Sequence, residues 1–136
     1  MTGLVVDTSA LAAVLLEEPG SDTILGHLAA ADRRLLSAAS RVELGMVIES
    51  RIPGMGRDLV ERLLRDTRVD VVPIDADAAD RALTAWRRFG KGRHPALNFG
   101  DCFSYALAEQ TGLPLLCTGG DFVATDLDVI VPPTAG

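Results

Sequence analysis

Apolar residues along this chain come in short bursts separated by polar, Gly- and Pro-bearing breaks. Residues 3–6 form a short β-branched apolar run and predict a buried strand. Asp7-Thr8-Ser9, three helix-capping residue types, follows directly, and then an apolar helix over 10–16. Glu17-Glu18-Pro19-Gly20 reads as a turn. A second helix is expected over 21–31, with Ile24, Leu25 and Leu28 on one face. A short strand at 34–37 and a helix at 40–52 come next. Pro53-Gly54-Met55-Gly56 then interrupts the chain before an amphipathic helix over 58–68 and a strand over 69–74. Ala79, Leu83 and Trp86 recur at helical spacing within a helix over 76–89. A basic loop over 90–95 leads to a helix over 98–111, ended by Gly112. A buried strand over 113–117, a polar turn over 118–121 and a last strand over 129–131 complete the pattern.

Strands alternating with helices predict an α/β fold, a mainly parallel sheet flanked by helices. At 136 residues, one domain spanning residues 1–136 is expected, with a core that needs no metal or disulfide staple. The chain is 48% apolar but only 4% aromatic, so the core is aliphatic, and aromatic base-stacking surfaces are not expected. Cys102 and Cys117 lack C-x-x-C spacing and sit in apolar runs, which reads as buried reduced thiols rather than zinc ligands. No apolar run approaches the roughly 20 residues of a membrane span, and no basic leader opens the sequence. The expectation is a soluble cytoplasmic protein.

Charge narrows the functional classes. There are 13 basic and 19 acidic residues, a net charge of −6, and Lys91 is the only lysine. Nucleic acid is not held here by bulk charge, so it would require a local basic patch or bound cations. The one dense basic stretch is Arg87-Arg88-Phe89-Gly90-Lys91-Gly92-Arg93-His94. It reads either as a solvated loop after a helix C-terminus or as a phosphate-binding lip leading into the helix that carries Asp101. Phe89 fits a core position better than a stacking one.

Four acids occupy the same kind of place. Asp7 follows the first strand, Glu43 lies in the first turns of the 40–52 helix, Asp101 opens the 98–111 helix, and Asp121 follows the 113–117 strand. In open α/β sheets ligands bind beyond the carboxyl ends of the strands. Each acid also has a local explanation: Asp7 as an N-cap, Ser40-Arg41-Val42-Glu43 as a capping box, Asp101 at the positive end of its helix, Asp121 in a Gly-Gly turn. Taken together, clustered carboxylates would raise one another's pKa unless a cation sits among them. Oxygen-only ligands select Mg²⁺ or Mn²⁺, and such sites hydrolyse phosphodiesters.

Competing motifs are weaker. Gly54-Met55-Gly56 follows a helix rather than a strand and lacks the third glycine of a dinucleotide fingerprint. No Walker A sequence is present. His27 is expected on a solvated helix face and His94 in the basic loop, neither placed for Ser-His-Asp catalysis.

Val5-Val6-Asp7-Thr8-Ser9-Ala10-Leu11, Glu43, Leu97-Asn98-Phe99-Gly100-Asp101-Cys102-Phe103 and Thr118-Gly119-Gly120-Asp121-Phe122 resemble the PIN-domain ribonucleases. More narrowly they resemble the VapC toxins of bacterial VapBC toxin–antitoxin modules, in order and spacing over essentially the whole chain. The resemblance implies an α/β/α sandwich and a Mg²⁺- or Mn²⁺-dependent endoribonuclease. It implies Asp7, Glu43, Asp101 and Asp121 as catalytic metal ligands, with Thr8 or Ser9 adding a hydroxyl near Asp7. It also implies a VapB-type antitoxin partner, an RNA substrate, and a homodimer within a larger toxin–antitoxin assembly. The apolar faces of the 21–31, 40–52 and 58–68 helices are core by composition and, by resemblance, also an antitoxin groove. Gly120 stands where many relatives carry a further acid, and Asp126 is similar to another acidic family position. The departure at Gly120 leaves a catalytically weak RNA- or protein-binding module as the alternative.

Overall fold

The computed structural model describes residues 3–133. Its elements run β1 (Gly3–Val6), α1 (Thr8–Leu15), α2 (Ser21–Ala30), β2 (Arg33–Ser37), α3 (Ala38–Arg51), α4 (Gly56–Asp66), β3 (Asp70–Val72), α5 (Ala76–Phe89), α6 (Phe99–Thr111), β4 (Leu115–Leu116) and β5 (Val129–Ile130). The strands form one sheet in the order β3-β2-β1-β4-β5, and every pair is parallel. β1 lies at the centre and all four of its residues are buried. A strand covered on both faces must be apolar throughout, which is why residues 3–6 carry no polar alternation.

Two aliphatic cores lie on opposite faces of this sheet. Leu4, Val6, Leu36 and Leu116 point into one, with α1, α2, α3 and α4 above them. Val5, Leu35, Leu115 and Cys117 point into the other, against α5 and α6. The period-2 alternation of strand side chains divides them, and the result is the expected α/β/α sandwich.

Several boundaries move for local reasons. α1 begins at Thr8 because Asp7 is its N-cap. α3 begins at Ala38 because Ser37 is its N-cap, its hydroxyl accepting from Ala39 N–H at 3.3 Å. The expected Ser40–Glu43 capping box is therefore not formed; both residues lie inside the helix. α4 starts at Gly56 rather than 58, since the Glu49 carboxylate accepts from Gly54 N–H at 2.7 Å and Gly56 N–H at 2.8 Å. β3 shrinks to three residues at the sheet edge, where it pairs on one side only. His27 is half-buried on α2 rather than solvated. Both cysteines are free and buried, as expected. Among the described residues, no helix is long and apolar enough to cross a membrane.

Candidate active site

The carboxyl ends of β1 and β4 and the starts of α1 and α6 meet at one edge of the sheet. Asp7 leaves β1 and caps α1. Its Oδ2 accepts from Ser9 N–H at 3.0 Å and from Ser9 Oγ at 2.7 Å. Its Oδ1 accepts from Ser104 Oγ at 2.7 Å. The side chain is only 3% exposed. Capping and a role at the site are thus compatible, because the caps engage the carboxylate from the helix side.

Asp101 sits in the first turn of α6 and is 6% exposed. A complete capping box holds it: Asn98 N–H donates to Asp101 Oδ2 at 3.0 Å, and Asp101 N–H donates to Asn98 Oδ1 at 2.8 Å. Glu43 reaches the same turn from α3. A Cβ added to Gly100 would fall 2.7 Å from Glu43 Oε1, so only glycine lets this carboxylate lie against α6. Asp121 is exposed in the turn after β4.

The electrostatics bind these four together. Burial pushes the Asp101 carboxyl up to about 7, and the nearby charges of Asp7, Asp121 and Glu43 push the same way; only the Asn98 hydrogen bond opposes them. Burial also pushes the Cys117 thiol up to about 12, assisted by Asp7, Asp101 and Asp121. Cys102 is pushed up to about 11, chiefly by burial and then by Asp101. Both thiols therefore stay protonated and leave an all-oxygen donor set. Among the described residues the four ion pairs lie elsewhere, so no arginine or lysine neutralises these acids. Among the described residues no three His, Cys, Asp or Glu side chains stand close enough together, as placed, to hold a metal ion. Uncompensated oxygen donors at an accessible edge suit a hard divalent cation.

The sequence profile of the PIN domain matches residues 4–126. The chain belongs to the PIN-domain family. Within it, the chain is 47% identical to the Ribonuclease VapC of Mycolicibacterium smegmatis over 128 residues, 93% of this chain and 99% of that one. It is 45% identical to Ribonuclease VapC30 of Mycobacterium tuberculosis over 131 residues, covering 96% and 100%. Among solved structures it resembles the sarcin–ricin-loop-cleaving toxin VapC20 of Mycobacterium tuberculosis, with a TM-score of 0.77 at 22% identity, covering 96% and 99%. A toxin–antitoxin complex from Klebsiella pneumoniae shares the fold with a TM-score of 0.72 at 19% identity, covering 97% and 99%.

Other expectations for this PIN domain can be placed. Ser9 is the hydroxyl neighbour of Asp7, and its Oγ also accepts from Thr118 N–H at 3.0 Å, tying α1 to the Asp121 turn. Thr8 faces away, donating to Ser40 O at 3.3 Å. Asp126 stands apart from the four acids: Tyr105 Oη donates to it at 2.6 Å and Arg88 at 3.5 Å. Tyr105 and then Arg88 hold its carboxyl below the usual range. Arg88 is thereby committed to Asp126 and to the Phe89 ring, 4.7 Å away. Phe89 packs on Tyr105 with ring centroids 5.6 Å apart, a core position as expected. At Gly120 a Cβ would meet nothing within 4 Å, so the backbone leaves room for a side chain there.

Sequence reasoning missed Ser104 and misassigned Ser40. The two hydroxyls lie 3.2 Å apart and extend the Asp7 network into α3. Ser104 is three residues beyond Asp101, hence on the same face of α6. That spacing was the available signal.

Proposed function

We propose that this chain is a Mg²⁺- or Mn²⁺-dependent endoribonuclease and the toxin of a VapBC-type pair. Membership among the VapC ribonucleases supports the activity. The observation that carries the metal dependence is the buried Asp101 carboxyl, pushed up to about 7 by burial and three acidic neighbours with no cationic partner.

When bound, the ion supplies an activated water and Lewis-acid stabilisation of phosphate charge. Asp7 and Asp101 would be its inner ligands, Glu43 would bind directly or through water, and Asp121 would complete the exposed side. Ser9 and Ser104 hold the Asp7 carboxylate in one orientation, as outer partners do in metal sites. The Asn98 box fixes Asp101 through Oδ2, so Oδ1 would be the oxygen to hold a cation. Burial and its acidic neighbours favour a proton on Asp101, and a bound cation would displace it. Water rather than the ribose 2′-hydroxyl attacks, so products carry 5′-phosphate and 3′-hydroxyl ends.

The partner is a VapB-type antitoxin in the cytoplasm. Leu25 of α2 and Val42 and Met46 of α3 are exposed apolar side chains suited to an amphipathic antitoxin segment or to a second toxin copy. An antitoxin arginine entering the acidic edge would compete with metal.

The test is cleavage of total RNA by purified protein in Mg²⁺, Mn²⁺ or EDTA, beside Asp7→Asn and Asp101→Asn. Metal-dependent cutting by wild type alone, with 5′-phosphate ends, is expected. RNA binding without cutting under any metal would favour a binding module instead.

A further inference from the structure

Three hydroxyls are buried where α1, α3 and α6 meet. Thr8, Ser40 and Ser104 are 6%, 0% and 1% exposed, so each must find its hydrogen-bond partner within the protein. Thr8 Oγ1 donates to the Ser40 carbonyl. Ser104 Oγ donates to Asp7 Oδ1. Ser40 Oγ lies 3.2 Å from Ser104 Oγ, and distance alone lets either hydroxyl be the donor there. One hydrogen per hydroxyl decides the direction. A carboxylate holding a cation has no hydrogen of its own, so Asp7 can only accept. The Ser104 hydrogen is thereby committed to Asp7, and Ser40 donates to Ser104.

The bonds therefore run one way, from Ser40 to Ser104 to Asp7. A hydroxyl that accepts a hydrogen bond becomes a stronger donor, so Ser40 strengthens the bond on Asp7. It also selects the Ser104 rotor. A serine inside a helix has the carbonyl one turn back as an alternative acceptor. With the Ser40 hydrogen on its oxygen, Ser104 keeps its own hydrogen turned to Asp7.

The position of Ser40 matters as well. It precedes Glu43 by three residues and shares its face of α3. Gly100 and Ser104 are four residues apart and share a face of α6. Ser40 meets Ser104, and the Glu43 carboxylate lies in the space that Gly100 leaves open. One helix crossing thus serves both acids: it sets Glu43 beside α6 and orients the donor on Asp7. The helix itself gives no reason for serine here. Alanine is the better helix former and fills nearly the same space.

We propose that Ser40 is a positioning residue of the four-acid site, acting through Ser104 to hold Asp7 Oδ1 in the orientation that a cation requires. The inference rests on the metal site proposed above and adds a residue that touches none of the four carboxylates by hydrogen bond.

The experiment compares the full chain with Ser40→Ala, Ser104→Ala and the double variant. In EDTA, at one pH, carbon-13 NMR follows the Asp7 carboxyl carbon. Ser40→Ala should move this resonance in the same direction as Ser104→Ala but less far, and the double variant should match Ser104→Ala. In calorimetric titration with Mn²⁺, Ser40→Ala should weaken binding roughly three- to tenfold, less than the loss of a partner bonded directly to a ligand. On the Ser104→Ala background the Ser40 change should have no further effect, because its route to Asp7 is gone. Ser40→Thr should restore affinity, and Ser40→Cys, a weak donor, should fall between serine and alanine. A folded Ser40→Ala or Ser40→Cys protein with the wild-type Asp7 resonance and Mn²⁺ affinity would overturn the proposal. So would equal losses on the two backgrounds, which mark a general loosening of the fold. Wild-type Mn²⁺ binding that ignores Ser40 refutes this role alone. An Asp7 resonance that answers to Ser40 in a chain that binds no Mn²⁺ refutes the metal reading alone.

Discussion

Ser104 donates a 2.7 Å hydrogen bond to Asp7 Oδ1, joining α6 to the N-cap of α1 across 97 residues of sequence. The bond is buried, so removing its donor leaves a buried carboxyl oxygen short of a partner. It fixes the carboxylate that β1 delivers to the sheet edge. Ser104→Ala should cost about 1–3 kcal/mol of stability, the scale of a buried acceptor left without its donor. RNA cleavage should fall with it, and a lowered urea midpoint together with weaker Mn²⁺ binding would check both effects.

Asp101 gives the metal-free protein a defined pH dependence. Its folded pKa, about 7, lies above that of an unfolded aspartate. The protonated form is therefore favoured by folding. That contribution is complete below about pH 4 and is lost as pH rises through 7. In EDTA the unfolding free energy should fall between pH 5 and pH 8, and Mg²⁺ should restore it at pH 8. Asp101→Asn should flatten the profile. Urea titrations at the two pH values, with and without Mg²⁺, measure this.

Gly100 separates the site from the fold. A Cβ there would overlap the Glu43 carboxylate, the far end of a flexible side chain, which can swing away. Gly100→Ala should leave stability within about 1 kcal/mol of wild type, since alanine is the better helix former. Cleavage should nevertheless drop about tenfold or more, on the scale of a misplaced catalytic group. A circular-dichroism melt beside an RNA cleavage rate distinguishes the two.

Asp126 supplies the contrast. It is bonded to Tyr105 and Arg88 rather than to the acidic set. Asp126→Asn should keep most of the cleavage rate and cost about 1 kcal/mol through the weakened Tyr105 bond. Asp121→Asn, the exposed member of the set, should do the reverse. Parallel cleavage and unfolding assays on the two variants test the assignment.

The legible parts of this molecule are those written in local pattern. β1 and Asp7 could be read because a central parallel strand is apolar throughout and its following helix needs a cap. The Asn98–Asp101 spacing likewise announced a helix start, and the box is formed. Ser37 and Ser40 are both capping types, and sequence alone favoured the wrong one. Ser37 caps because α3 begins directly where β2 ends, which a sheet position decides. The strand at 69–74 was drawn too long because periodicity does not show that a strand will be an edge. The Ser104–Asp7 bond and the Glu43–Gly100 contact join distant segments, and no local signal encodes such pairs. Spacing puts Trp86 on one face of the 76–89 helix, but no local signal brings Phe99 and Phe103 beside it.

The most direct test of the four-acid site is calorimetric titration of the purified chain with Mn²⁺ at pH 7.5, beside Asp7→Asn and Asp101→Asn. Wild type should bind with release of protons, and each variant should bind at least tenfold more weakly while remaining folded in EDTA. Equal Mn²⁺ binding by all three folded proteins would contradict a metal site at these acids.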